Sequence, residues 1–143
     1  MAFIKYALSL CLLIVSVMGF GQTKLPSMTV KDIDKSTAFE ELIELFGDSD
    51  YFIQNMEKDA GFIQVKSVIK QRGIFAKRAG NKITYNILLK QISEGLIQVN
   101  LQANLEISDR TEDGYYYRDE GVSYDPKDYE EILGFIESHF ENQ

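Results

Sequence analysis

A chain of 143 residues that is 45% hydrophobic has material for one ordinary core, and its net charge of −7 makes nucleic acid a poor partner. One cysteine and one histidine exclude a disulfide framework, a thiolate cluster and a multi-histidine metal site. No phosphate loop, dinucleotide fingerprint or nucleophile elbow occurs, so motifs select no enzyme class.

Residues 1–21 read as an export signal. Lys5 closes a short charged lead, Tyr6 to Phe20 is almost wholly apolar, and Gly19 and Gly21 put small residues before a cleavage point at Gln22, in the manner of bacterial signals. The apolar run falls short of the roughly 20 residues that span a bilayer. The expectation is therefore a cleaved signal and a periplasmic or secreted product that is not an integral membrane protein, with an uncleaved anchor as the alternative. Cys11 follows Leu10 and precedes half of the apolar run, which is not the arrangement of a lipoprotein signal. Loss of Lys5 with the signal leaves 14 cations against 22 acids, a net charge of −8, and no thiol.

After a loose leader over 22–27, residues 28–143 are expected to form one domain. Met28 to Ile33 is a weak strand. Thr37 and Glu40 suggest a capping box for a helix whose apolar residues Phe39, Leu42, Ile43 and Phe46 run to a stop at Gly47. Tyr51 to Glu57 and Phe62 to Gln71 read as strands joined by a turn at Lys58 to Gly61, and Gly73 suggests a bulge or bend. A turn at Ala79 to Asn81 leads to a strand from Lys82 to Ile92. Ser93-Glu94-Gly95 then fits a three-residue hairpin loop ending in a left-handed residue. Counted across that loop, Gln91 faces Ile97, Leu89 faces Val99, Ile87 faces Leu101 and Tyr85 faces Ala103, which brings apolar parity onto apolar parity. Asp113-Gly114 marks another hairpin turn, with Tyr115 to Arg118 returning. Asp125 and Pro126 open a last helix with the apolar stripe Tyr129, Ile132, Leu133, Ile136 and Phe140.

The expected fold class is α+β: an antiparallel sheet of four to six strands with two amphipathic helices on one face. This element order resembles the helix-grip and TATA-binding-protein-like domains of small bacterial envelope proteins, including outer-membrane assembly lipoproteins. The resemblance implies a sheet with one face covered and one open.

The open face should carry the even-numbered residues: Phe62, Gln64, Lys66, Val68, Lys70 and Arg72; Lys82, Thr84, Asn86, Leu88, Lys90 and Ile92; and the amide row Gln98, Asn100, Gln102 and Asn104. Gly61 to Ser93 holds seven cations, Lys77 and Arg78 among them, and no acid, which leaves −15 on the rest of the mature chain. Lys66, Lys70, Arg72, Lys82, Lys90 and the four amides are thus candidate contacts for an envelope protein, a glycan or a lipid headgroup. Amides offer donors and acceptors without the cost of dehydrating a charge. An ordinary solvated face with aggregation-blocking lysines explains the same residues.

Asp109 to Glu120 fits the spacing of a calcium loop, with Asp109, Thr111, Asp113 and Glu120 as candidate ligands around Gly114, although Thr111 stands where Asp or Asn is usual. The preceding residues alternate like a strand, so a hairpin accounts for the pattern equally. Tyr115, Tyr116, Tyr117 and Tyr124 suit an interface or cross-strand packing. His139 suits the C-terminal dipole of its helix. Glu40, Glu41 and Glu44, and Asp128, Glu130 and Glu131, lie early in the two helices. The function expected is a non-enzymatic, exported binding module without a cofactor. Its alternatives are a lipid-like carrier with a pocket between sheet and helices, and a carboxylate-based hydrolase.

Overall fold

The computed structural model describes residues 24–69 and 80–142. The proposed signal, Gln22, Lys70, Arg72, Gly73, Lys77, Arg78 and Ala79 lie outside the described residues. Eight elements follow in order: β1 (Ser27–Lys31), α1 (Lys35–Gly47), β2 (Phe52–Glu57), β3 (Phe62–Ile69), β4 (Asn81–Ser93), β5 (Leu96–Thr111), β6 (Gly114–Val122) and α2 (Lys127–Glu141). All six strands form one antiparallel sheet in the order β1-β5-β4-β3-β2, and β6 joins β5 farther along the edge that β1 occupies. The fold is α+β, as expected.

Strict alternation creates the two faces. Ile63 and Val65 of β3, Ile83, Tyr85, Ile87 and Leu89 of β4, and Ile97, Val99, Leu101 and Ala103 of β5 are all buried, and all are odd-numbered. Onto this side pack Ala38, Phe39, Leu42 and Phe46 of α1 and Tyr129, Ile132 and Ile136 of α2. Each aliphatic side chain so buried contributes roughly 1.5–3 kcal/mol, which makes a one-residue slip of any central strand prohibitive. The β4–β5 ladder pairs Gln91 with Ile97, Leu89 with Val99, Ile87 with Leu101 and Tyr85 with Ala103, the register that matched parities require.

Local chemistry sets the ends. The N-cap of α1 is Asp34 and not Thr37: its Oδ1 accepts from Ser36 N at 2.9 Å and Thr37 N at 3.1 Å, while Thr37 Oγ1 donates to Oδ2 at 2.6 Å. The helix therefore starts earlier than the spacing suggested and has no acid in its first turn. At α2, Asp125 Oδ1 accepts from Lys127 N at 3.1 Å, and Asp128 and Glu130 occupy the first turn. The β4–β5 hairpin closes through Glu94-Gly95, with Gly95 at φ 66° as foreseen, but Ser93 pairs with Leu96 and the ladder shifts at Ile92.

A seam on β5 ties both ends of the domain together. Leu101 N donates to Pro26 O at 3.0 Å, ahead of β1, and Ala103 O accepts from Ser123 N at 2.8 Å, just past β6. Between them, Ala103 N donates to the hydroxyl of Tyr129 at 3.0 Å, and that hydroxyl donates to Ser123 O at 2.7 Å. A second tie runs from Tyr85 Oη to Asp128 O at 2.7 Å. Phe46, Tyr51, Tyr85 and Phe135 form a ring cluster with neighbouring centroids 5.4–6.1 Å apart. No helix among the described residues is long and apolar enough to cross a membrane.

Candidate functional site

Because both described helices lie on the odd face, no helix among the described residues covers the even face of the sheet. The cross-strand registers arrange it in rows perpendicular to the strands: Phe62, Leu88 and Asn100 form one, and Gln64, Asn86 and Gln102 the next. Lys24 and Leu25, which precede β1, bound the same surface. Together Lys24, Leu25, Phe62, Asn86, Leu88, Asn100, Leu101 and Gln102 line a groove of about 750 Å³.

The four amides of β5 do different things. Gln98 Nε2 donates to Ser27 Oγ at 3.5 Å, a long bond toward β1. Asn100 Nδ2 donates to Leu88 O at 3.3 Å, which leaves its carbonyl oxygen without a partner among the described residues. Gln102 lies in the groove wall. Asn104 Oδ1 is buried without a hydrogen-bond partner among the described residues. Beside them, Gln64 Nε2 donates to Asn86 Oδ1 at 2.8 Å, so Asn86 keeps its NH2 for another acceptor.

The cations are less available than their number suggests. Lys66 reaches across β4 to pair with Glu106 of β5, both side chains being partly buried. Lys82 Nζ sits 3.3 Å from the ring centroid of Tyr117. Lys90 is exposed, opposite Gln98. The candidate residues Lys66, Lys82, Lys90, Gln98, Asn100, Gln102 and Asn104 therefore share one face, but only Asn100 and Gln102 line its groove. Lys24, Leu25 and Glu106 were not anticipated. Glu106 shares the parity of the amides and was open to discovery, whereas nothing in the residues 24–25 announces that they line a groove with residues of β3 to β5.

The calcium-spacing segment is a hairpin. Asp109 pairs with Tyr116 across it and Thr111 with Gly114. Arg118 donates to Asp109 Oδ2 at 2.9 Å and also to Glu120, so one guanidinium holds two of the four candidate ligands. Asp113 lies in the turn, and Thr111 Oγ1 donates to Gly114 O at 3.1 Å. Among the described residues, no three acidic, histidine or cysteine side chains converge as a metal site requires. Tyr115 and Tyr116 are exposed on opposite faces of the hairpin.

Elsewhere, His139 Nε2 lies 2.9 Å from Glu41 Oε2, a link between α2 and α1 beside a shallow groove that also includes Glu44, Asp48 and Phe135. Glu40 of α1 pairs with Lys58 at 2.5 Å; with the helix starting at Lys35, Glu40, Glu41 and Glu44 all lie past its first turn. Desolvation shifts the tyrosines of the core. Burial pushes the Tyr51 hydroxyl up to about 12, with help from Glu131, and pushes Tyr85 and Tyr129 upward as well.

No protein-family model matches the chain, and no curated protein matches it. Among solved structures, it is similar to a DUF4468 family protein from Bacteroides ovatus, with 11% identity over 67% of this chain and a TM-score of 0.37. The alignment covers 61% of that protein, less than two thirds of its length.

Proposed function

We propose that the protein is an exported, non-enzymatic binding module of the cell envelope that engages its partner through the open face of its sheet. One observation carries the reading: the face that no helix among the described residues covers holds a groove in which apolar side chains, Phe62, Leu88 and Leu25, stand beside the carboxamides Asn86, Asn100 and Gln102. Solvated sheet faces seldom need an aromatic ring and amides gathered in one concavity, whereas binding sites combine an apolar floor with a few polar groups. The groove lies on the side of the sheet away from the helices, which favours this face over an interior carrier site. Export rests on the apolar segment Tyr6 to Phe20 and the small residues before Gln22.

Two measurements test the reading. Cell fractionation with N-terminal sequencing should find a product beginning near Gln22 outside the cytoplasm. Purified protein should co-sediment saturably with isolated envelope, and Leu88→Glu, which places a charge in the groove floor, should abolish this while Tyr116→Ser retains it. Equal sedimentation of Leu88→Glu and wild type would remove the face from consideration.

A further inference from the structure

We infer that the groove binds an uncharged glycan, one saccharide unit resting on Phe62 and Leu88 with its hydroxyls bonded by Asn86, Asn100 and Gln102; this deepens the proposed sheet-face function and rests on it. The groove's amides keep hydrogen-bonding capacity beyond their internal bonds. Asn86 spends its oxygen on Gln64 and retains an NH2, a pure donor. Asn100 spends one N–H on Leu88 O and retains its oxygen, an acceptor. The Gln102 side chain makes no hydrogen bond among the described residues and offers both. A sugar hydroxyl is donor and acceptor at once, and a cluster that offers a donor, an acceptor and a side chain with both matches it.

The register supplies the second half of the match. Asn86 and Gln102 are direct cross-strand neighbours in one row, and Phe62, Leu88 and Asn100 occupy the adjacent row. The apolar pair Phe62 and Leu88 thus lies beside Asn100 in its own row and beside Asn86 and Gln102 in the next. A pyranose ring has that same division, with a C–H face that packs on an aromatic ring and an equatorial rim of hydroxyls. The volume, about 750 Å³, lies within the roughly 300–1,000 Å³ typical of small-ligand sites.

Charge and backbone geometry disfavour the other classes. Among the described residues, no carboxylate lines the groove and Lys24 is the one cation that does, at an exposed position, while Lys66 is already paired with Glu106. An anionic headgroup would find little to neutralise it. An acyl chain would bury the Asn86 NH2, the Asn100 oxygen and the Gln102 carboxamide without partners, at roughly 1–3 kcal/mol for each unsatisfied group. A peptide adding as a strand needs a free sheet edge, whereas the groove lies over β3, β4 and β5, which are paired on both sides.

The purified chain should be titrated by NMR with neutral tetrasaccharides of hexose and of N-acetylhexosamine, following the side-chain amides. Saturable shifts centred on Asn86, Asn100 and Gln102 are expected. Gln102→Met and Asn100→Leu, which keep size and discard hydrogen bonds, should each weaken binding by about tenfold or more. Phe62→Leu should do so too, and Tyr116→Ser should not. Absence of binding at millimolar saccharide, or binding indifferent to Gln102→Met in a variant that melts like wild type, overturns the assignment. So does tighter binding to anionic phospholipid vesicles or to a monomeric fatty acid than to either saccharide. If the glycans fail while envelope sedimentation still depends on Leu88, the ligand class alone is wrong; if both fail, the sheet-face reading falls with it.

Discussion

Tyr129→Phe removes one oxygen atom from a site that the fold cannot refill. The residue is 1% exposed and Ala103 is fully buried. The hydroxyl completes the edge of β5 where neither β1 nor β6 reaches: it accepts from Ala103 N and donates to Ser123 O. The truncated ring keeps its packing, so no cavity larger than the lost hydroxyl opens. What changes is the amide of Ala103, which becomes a buried donor with no acceptor, at about 1–3 kcal/mol. Taking about 2 kcal/mol, and an unfolding entropy near 2.1 cal/mol/K per residue over roughly 120 residues, Tm should fall by about 8 °C. Thermal melts by circular dichroism measure this directly. Hydrogen exchange adds a local readout, because the Ala103 amide should lose protection while central amides of the β4–β5 ladder keep theirs. Tyr124→Phe, at an exposed site, serves as the control and should melt like wild type. A loss under about 2 °C for Tyr129→Phe, with Ala103 still protected, would refute the idea that this hydroxyl closes the seam.

Gly61→Ala should cost at least about 2 kcal/mol by denaturant titration, since Gly61 is at φ 73° and an added Cβ would stand 2.9 Å from the backbone oxygen of Leu89. In a spectrophotometric titration at high pH, Tyr51 should ionise near 12 and Tyr85 and Tyr129 later than an ordinary tyrosine. Their hydroxyls hold protons more tightly folded than unfolded, so the stability they contribute is whole below pH 10 and is lost as pH rises from about 10 through the folded values. A melting temperature flat from pH 9 to 12 would contradict this. Asp34 has the opposite sign: its bonds from Thr37 hold its carboxyl below the ordinary value, so Asp34→Ala should lower Tm at neutral pH, with the difference from wild type shrinking as pH falls through that lowered value. Finally, millimolar calcium should leave the wild-type melt unchanged, because Arg118 already holds Asp109 and Glu120; a rise in Tm would return the hairpin to the list of ion sites.

The register of β4 on β5 was legible because a one-residue error would turn Ile97, Val99, Leu101 and Ala103 into water, and one-sided packing followed from two stripes and one apolar parity. The outward aspect of Asn86, Asn100 and Gln102 came from the same alternation. What escaped depends on groups remote in sequence. The cap of α1 went to Asp34 over Thr37 because a carboxylate accepts two amides and the threonine hydroxyl at once, a contest that spacing alone does not judge. Lys66 and Glu106, forty positions apart, meet only because β4 lies between their strands. The place of Lys24 and Leu25 at the groove, and the plug supplied by Tyr129, likewise depend on where the edge of β5 passes from one strand to another.

That shared edge has a consequence for how the chain becomes a fold. Ser27 and Gln98, 71 positions apart, must meet before β1 has any partner, and the tyrosine that seals the junction arrives with the last helix. A nascent chain emerging from the ribosome therefore holds its first strand in suspense, since closing so long a loop brings no return until β5 has been made. If the chain is exported as proposed, such lateness is an advantage: β1 stays unpaired until the last helix is through.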